Sequence, residues 1–138
     1  MKPIITTKIA LDTNVILYSH SVEDTQKRLI AQKLLTLYPI ISGQVISEYL
    51  NVMKRLFPIS KTDLMHTCAQ WIKKCVIHPI DSFSIETAEY LIRKYDFQIF
   101  DGIIVASALN AGCDVLFSED MQHELLIEKQ MKIVNPFL

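Results

Sequence analysis

Apolar residues fall along this chain in two spacings. Short solid runs stand at Ile9–Leu11, at Tyr38–Ser42 where Gly43 stops the run, at Cys75–Ile80, at Cys113–Ser118 and in the closing stretch "MKIVNPF". Each is apolar on both sides of the strand alternation, the pattern of strands covered on both faces of a parallel sheet. Between them the apolar positions recur every three or four residues. Thr25–Leu37 repeats them at Leu29, Ile30, Leu34 and Leu37, and Val45–Leu56 at Val45, Ile46, Tyr49, Met53 and Leu56, so both predict amphipathic helices. "SKTD", Ser60–Asp63, has the form of a capping box and predicts a helix to about Lys74. Ser84 is placed to cap another through Ile85, Ala88, Leu91, Ile92 and Tyr95, and Asp101 to open "DGIIVASALNAG", which Gly112 ends. Strands alternating with helices predict an α/β class built of βαβ units, with a mainly parallel sheet of five strands.

Composition narrows this further. The 138 residues are 50% apolar and 21% charged, which predicts one compact domain over 1–138 and excludes a disordered chain. A net charge of −1 excludes a broad basic surface, so any nucleic-acid contact has to be local. Cys68, Cys75 and Cys113 form neither a zinc-spaced cluster nor an even disulfide set, and read as thiols in a reducing compartment. His20, His66, His78 and His123 are scattered, without the i, i+4 pairing of a metal site. "MKPIITTKIALD" lacks the apolar core of a signal peptide and no run is long enough to span a bilayer, so a cytoplasmic protein without membrane contact is expected.

In a parallel sheet, ligands collect beyond the carboxyl ends of the strands. Asp12 follows the first strand directly, Ser118, Glu119 and Asp120 follow the fourth, and Glu48 lies in the first turns of the helix after the second, on the side of Val45 and Tyr49. Asp101 opens the helix that leads into the fourth strand, so the strand-end rule alone does not bring it to the others; long-range packing has to. If the four acids do meet, their repulsion at low dielectric has to be relieved by shared protons or by cations. Oxygen-only ligation favours Mg²⁺ or Mn²⁺ over zinc, and such sites serve phosphoryl transfer by lowering the pKa of bound water and neutralising charge on the phosphate. Each acid also has a plain structural reading: Asp12 and Asp101 as helix caps, Glu48 as a partly exposed helix residue, "SED" as a capping turn. Tyr49 and Phe100 read better as core packing than as rings for base stacking.

Together "ALDTNVILY", "VISEYLNVM", "IFDGIIVASALNAGCDVLFSEDM" and "IVNPF" resemble the PIN-domain family, in particular its small VapC-type toxin ribonucleases, from about Lys8 to the C-terminus. The resemblance implies a three-layer α/β/α sandwich and a metal-dependent endoribonuclease. It puts the family's acids on Asp12, Glu48, Asp101 and Asp120 as catalytic and metal-holding residues, with Asn14, Ser118 and Glu119 in support. Whether Glu119 or Asp120 supplies the fourth carboxylate stays open. The partners implied are an RNA substrate, a small antitoxin and a second copy in a homodimer. Lys54–Arg55, Lys73–Lys74 and Arg93–Lys94 offer phosphate contacts, or simply complement helix ends. A haloacid dehalogenase-type phosphatase also places an Asp after its first strand, but requires a second Asp where Asn14 stands and a Lys just before an acidic pair. A receiver domain comes into question on fold grounds, but the acidic pair it needs before its phosphorylated Asp is missing here. The non-enzymatic alternative is a PIN fold serving as an RNA-binding or scaffold module.

Overall fold

The computed structural model describes residues 7–138. Its strands are β1 (Ile9–Leu11), β2 (Ile40–Ser42), β3 (Val76–His78), β4 (Val115–Phe117), β5 (Leu126–Ile127) and β6 (Met131–Val134). They form one sheet in the order β3-β2-β1-β4-β6-β5, parallel throughout except for β5, which runs antiparallel to β6. Six strands replace the five expected. The extra one, Leu126–Ile127, is too short to leave a periodic signal and exists through its pairing of Leu126 with Lys132 and Ile127 with Met131. The helices are α1 (Thr13–Tyr18), α2 (Thr25–Leu35), α3 (Gly43–Leu56), α4 (Lys61–Trp71), α5 (Ser82–Tyr95) and α6 (Ile99–Asn110).

The strand order fixes the layers. From β1 to β2 to β3 the chain steps in one direction, then jumps back across the sheet to β4 on the other side of β1. Parallel crossovers are right-handed, so the step that reverses direction puts its helices on the opposite face. α1 to α4 therefore cover one face and the α5–α6 pair the other, giving the expected three-layer α/β/α sandwich. β1 and β2 are buried at every residue, as strands between two layers must be. β3 departs from that expectation. It is the edge strand, and Val76 and Ile77 stand exposed on it.

Local chemistry sets where the helices start. Ser42 caps α3 and Ser60 caps α4, each accepting from the backbone N–H three residues on. For α5 the cap is Asp81, not Ser84; the two form a reciprocal capping box in which Ser84 is the N3 partner. α6 begins at Ile99 after Gln98, so Asp101 sits inside its first turn and does not open it. Gly112, at φ +78°, follows the C-cap Ala111, where the left-handed backbone suits a residue without Cβ. α6 itself is apolar nearly all round, as a helix buried between α5 and the sheet has to be.

Gly102 lets α6 approach α5. A Cβ at that position would stand 2.5 Å from Ile92 Cγ1 and 2.7 Å from its Cδ1, well inside van der Waals contact. Gly102→Ala is therefore expected to destabilise the protein by about 1–3 kcal/mol, the usual cost of overpacking, outweighing alanine's better helix propensity. Urea denaturation of the two proteins measures it, and an alanine variant as stable as the wild type would contradict the packing described.

Candidate active site

β1 and β4 are neighbours, and from them the chain goes on toward opposite edges of the sheet, to β2 from β1 and to β6 from β4, the switch point beyond whose carboxyl ends a crevice forms. Asp12 ends β1 there and Ser118 ends β4. The ladder continues past both strands: the Asp12 N–H donates to the Phe117 carbonyl at 2.9 Å and the Ser118 N–H to the Val134 carbonyl at 2.9 Å. Two adjacent strand ends thus deliver two polar side chains to one point, and the Ser118 hydroxyl donates to Asp12 Oδ2 at 2.7 Å.

Asp12 is 4% exposed and does two jobs with its two oxygens. Oδ1 accepts from the Thr13 N–H at 2.7 Å and so caps α1, while Oδ2 faces Ser118 and, at 3.4 Å, Asn14 Nδ2. Cap and site residue are one and the same. Burial, opposed by the Ser118 and Thr13 hydrogen bonds and reinforced by the charges of Asp101 and Glu48, pushes its carboxyl up to about 6. Asp101 is raised as well, by burial and then by the charges of Glu48 and Asp120. The four acids from β1, α3, α6 and the turn after β4 are therefore gathered within electrostatic reach of one another.

Asp101 arrives by a route the strand-end rule overlooks. A helix that leads into a parallel strand runs antiparallel to it, so the first turn of α6 lies beside the carboxyl end of β4. The twelve residues of α6, about 18 Å long at 1.5 Å per residue, carry the chain from that edge back to the start of β4. The long-range packing that the sequence requires is thus the antiparallel run of α6 against β4: Asp101 sits at the site's own end because it is early in its helix.

Asn14 holds the turn after β4. Its Nδ2 donates to Asp120 Oδ2 at 3.0 Å and its Oδ1 accepts from the Glu119 N–H at 3.2 Å. The Glu119 side chain turns away from the other acids: it accepts from the Tyr18 hydroxyl at 2.7 Å and from Lys27 Nζ at 2.5 Å. Asp120 is the member of "SED" that faces the crevice. Glu48 accepts from the Thr13 hydroxyl at 2.5 Å and from Gln44 Nε2 at 3.3 Å. Sequence reasoning misses Thr13, although its place between Asp12 and Asn14 marks it. No three acids, histidines or cysteines among the described residues converge on one point as a closed ligand set. In kind, however, the donors suit a hard divalent cation: all are carboxylate oxygens, none of Asp12, Glu48, Asp101 or Asp120 is ion-paired to a lysine or arginine among the described residues, and burial, with mutual repulsion added to it, raises two of them.

Two hollows adjoin the acids. One, of about 360 Å³, is lined by Thr13, Glu48, Asn51, Arg55 and Asp120, so Arg55 of the basic pair Lys54–Arg55 does face the site. The other, of about 580 Å³, is a groove between α1 and α3 lined by Leu17, Val52, Met53, Leu56 and Phe57 and also by Asn14, Glu119 and Asp120. The pair Arg93–Lys94 is spent elsewhere, Lys94 on Glu128 at 2.5 Å and Arg93 near Glu89 at 3.9 Å.

Comparison with known proteins agrees with this geometry. The PIN domain family model matches residues 9–126, a span that holds all four acids. The chain belongs to the PIN-domain family. Its fold is similar to a toxin–antitoxin complex from Klebsiella pneumoniae, with a TM-score of 0.67 and 19% identity over 94% of this chain and 98% of that one. It is similar to VapC20 of Mycobacterium tuberculosis, a toxin that cleaves the sarcin–ricin loop, with a TM-score of 0.64 and 18% identity over 82% and 92% of the two chains. FitAcB from Neisseria gonorrhoeae aligns at 0.66 and 16% identity over 94% and 98%. At these identities the likeness is one of fold. Sequence comparison with curated proteins finds no match. Among the described residues of this PIN domain no helix is long and apolar enough to cross a membrane.

The raised carboxyl of Asp12 ties stability to pH. Folded, it holds its proton up to about 6; unfolded, it loses it near its ordinary 3.8. Its contribution is therefore most favourable below about pH 4 and is lost as pH rises through 6, where the buried charge has to be carried without a counter-ion. Asp12→Asn removes that cost, so in chelator its stability relative to wild type should rise by about 2 kcal/mol between pH 4 and pH 7. Urea midpoints of both proteins across that range test it; a difference that does not vary with pH would refute the burial of an ionisable Asp12.

Proposed function

We propose that this PIN domain is a divalent-cation-dependent endoribonuclease and the toxin of a toxin–antitoxin pair, with residues 7–138 working as one catalytic unit. The observation that carries the reading is the gathering of four carboxylates from four separate elements at the crevice between β1 and β4, with no basic side chain among the described residues paired to any of them. A purely structural role would bring a compensating lysine or arginine, because uncompensated acids destabilise the fold.

Asp12, Glu48, Asp101 and Asp120 would hold Mg²⁺ or Mn²⁺, which when bound makes water nucleophilic near neutral pH and offsets the charge that builds on the phosphate oxygens. The chain's own residues supply the rest. Ser118 fixes the rotamer of Asp12 by donating to Oδ2, and Asn14 ties Asp120 to the same position, so two carboxylates are oriented before substrate arrives. Thr13 does the same for Glu48. Arg55, exposed at the rim of the smaller hollow, offers the phosphate backbone a cation beside the acids without neutralising them. Phe100, expected from its sequence context to pack in the core, is instead 57% exposed next to Asp101, where a ring suits stacking on an unpaired base. Purified protein should cut RNA with Mg²⁺ or Mn²⁺ and stop in chelator, and Asp12→Asn and Asp101→Asn should each abolish cleavage with the circular dichroism spectrum unchanged. Undiminished cleavage by either variant would sink the mechanism, and a folded wild type that binds RNA without cutting it would favour the scaffold reading.

The apolar groove between α1 and α3 suits the second partner. Leu56 and Phe57 are more than half exposed along it, and Asp120 also lines it, which fits an antitoxin segment with apolar side chains and a basic one. This assignment draws on the toxin–antitoxin complex of similar fold. Coexpression with the product of the adjacent reading frame should give a complex that inhibits cleavage and that Phe57→Glu weakens. Inhibition unaffected by Phe57→Glu would remove the groove from the interface.

A further inference from the structure

Glu119 lies between Ser118 and Asp120, one residue from two members of the acid cluster, and would add a further negative charge if its side chain joined them. It does not. Lys27, from the first turn of α2, places its ammonium 2.5 Å from Glu119 Oε2, and the Tyr18 hydroxyl, from the end of α1, donates to Oε1 at 2.7 Å, so both carboxylate oxygens are taken. Lys27 is itself held: Nζ is 3.2 Å from the Tyr18 hydroxyl, 4.6 Å from the centre of the Tyr18 ring and 5.4 Å from that of Phe137. Tyr18 and Phe137 pack edge to face at 4.9 Å. Glu119 and Lys27 are both largely shielded, with side chains 24% and 31% exposed, so the pair is better protected from water and salt than an open surface bridge.

From this geometry we infer that Lys27 is a positioning residue for the cation site: with Tyr18 it draws Glu119 out of the acid cluster, and by doing so commits Asp120 as the carboxylate that the turn after β4 presents. The inference rests on the reading of Asp12, Glu48, Asp101 and Asp120 as cation-holding residues of a nuclease. Without Lys27, Glu119 has lost its cation and is free to turn toward the neighbouring site. An added carboxylate there raises the ligand charge, which tightens binding of a hard divalent cation. It also occupies room and charge balance that the phosphate needs, which slows the reaction without weakening attachment of the rest of the RNA.

The test is Mn²⁺ titration calorimetry beside steady-state RNA cleavage for wild type, Lys27→Met, Lys27→Arg and Lys27→Met/Glu119→Gln, with thermal unfolding as the check that each is folded. Lys27→Met should bind Mn²⁺ more tightly by roughly threefold or more. Its kcat should fall by roughly tenfold, in the range of lost second-layer contacts at metal sites, with KM for RNA unchanged. Glu119→Gln in the same chain should return both quantities toward wild type, and Lys27→Arg should stay close to it. A merely structural lysine would loosen Mn²⁺ and would not be rescued at Glu119. Lys27→Met with wild-type Mn²⁺ affinity and kcat, or a double variant as impaired as the single one, overturns the inference and leaves the nuclease reading intact. A wild type that takes up no Mn²⁺ overturns both.

Discussion

The hydrogen bond from the Ser118 hydroxyl to Asp12 Oδ2 spans 106 residues of chain and joins the ends of two neighbouring parallel strands. It forms only if β1 and β4 lie side by side in register, Ile9 against Val115 through Leu11 against Phe117. The carboxylate it secures is almost wholly removed from water, a state that costs several kilocalories per mole unless the charge is met by donors or a cation. Thr13 and Ser118 meet part of that cost and the neighbouring acids add to it. The rest of the architecture serves to keep such a group in place: apolar β1 below it, α1 starting at its cap, and α6 bringing Asp101 to the same edge.

Much of the fold is legible in the sequence because parallel sheets write themselves plainly. Solid apolar runs at Ile9–Leu11 and in "CDVLFS", separated by amphipathic stretches, point to strands and crossover helices, and the Ser42 and Ser60 caps stand where polar residues precede the periodic ones. The illegible parts depend on distant partners. β5 is two residues that become a strand only against β6, and β3 reads as buried in sequence but is an edge whose apolar residues face outward. The start of α5 is displaced by one turn in the sequence reading because Asp81 and Ser84 are both good caps, and only the backbone decides which of a reciprocal pair is first.

The site is legible as a set of residue types and less so as a geometry. Asp12 and Ser118 come directly from the strand-end rule. Asp101 is recognisable through family resemblance while its position is easily misjudged, since a rule about residues just after strands is silent on helices that precede them. The choice within "SED" cannot be made from three adjacent letters. On the proposed reading it depends on Lys27 and Tyr18, which bond to Glu119 from about ninety residues or more away in sequence and have no spacing that ties them to it. Asn14 is the counter-example: because its amide both donates to Asp120 and accepts from the Glu119 backbone, an ionised aspartate, which only accepts, could not replace it, and its place two residues after Asp12 makes it visible.

The span of the site also bears on its making. Its acids run from Asp12 to Asp120, and the backbone that seats Ser118 is fastened to Val134, in the strand that flanks β4. No early portion of the polypeptide contains a working crevice. During synthesis the crevice therefore cannot assemble until residues up to Val134 have left the ribosomal exit tunnel, so on the proposed nuclease reading a shorter nascent chain would be inactive toward the RNA that is producing it.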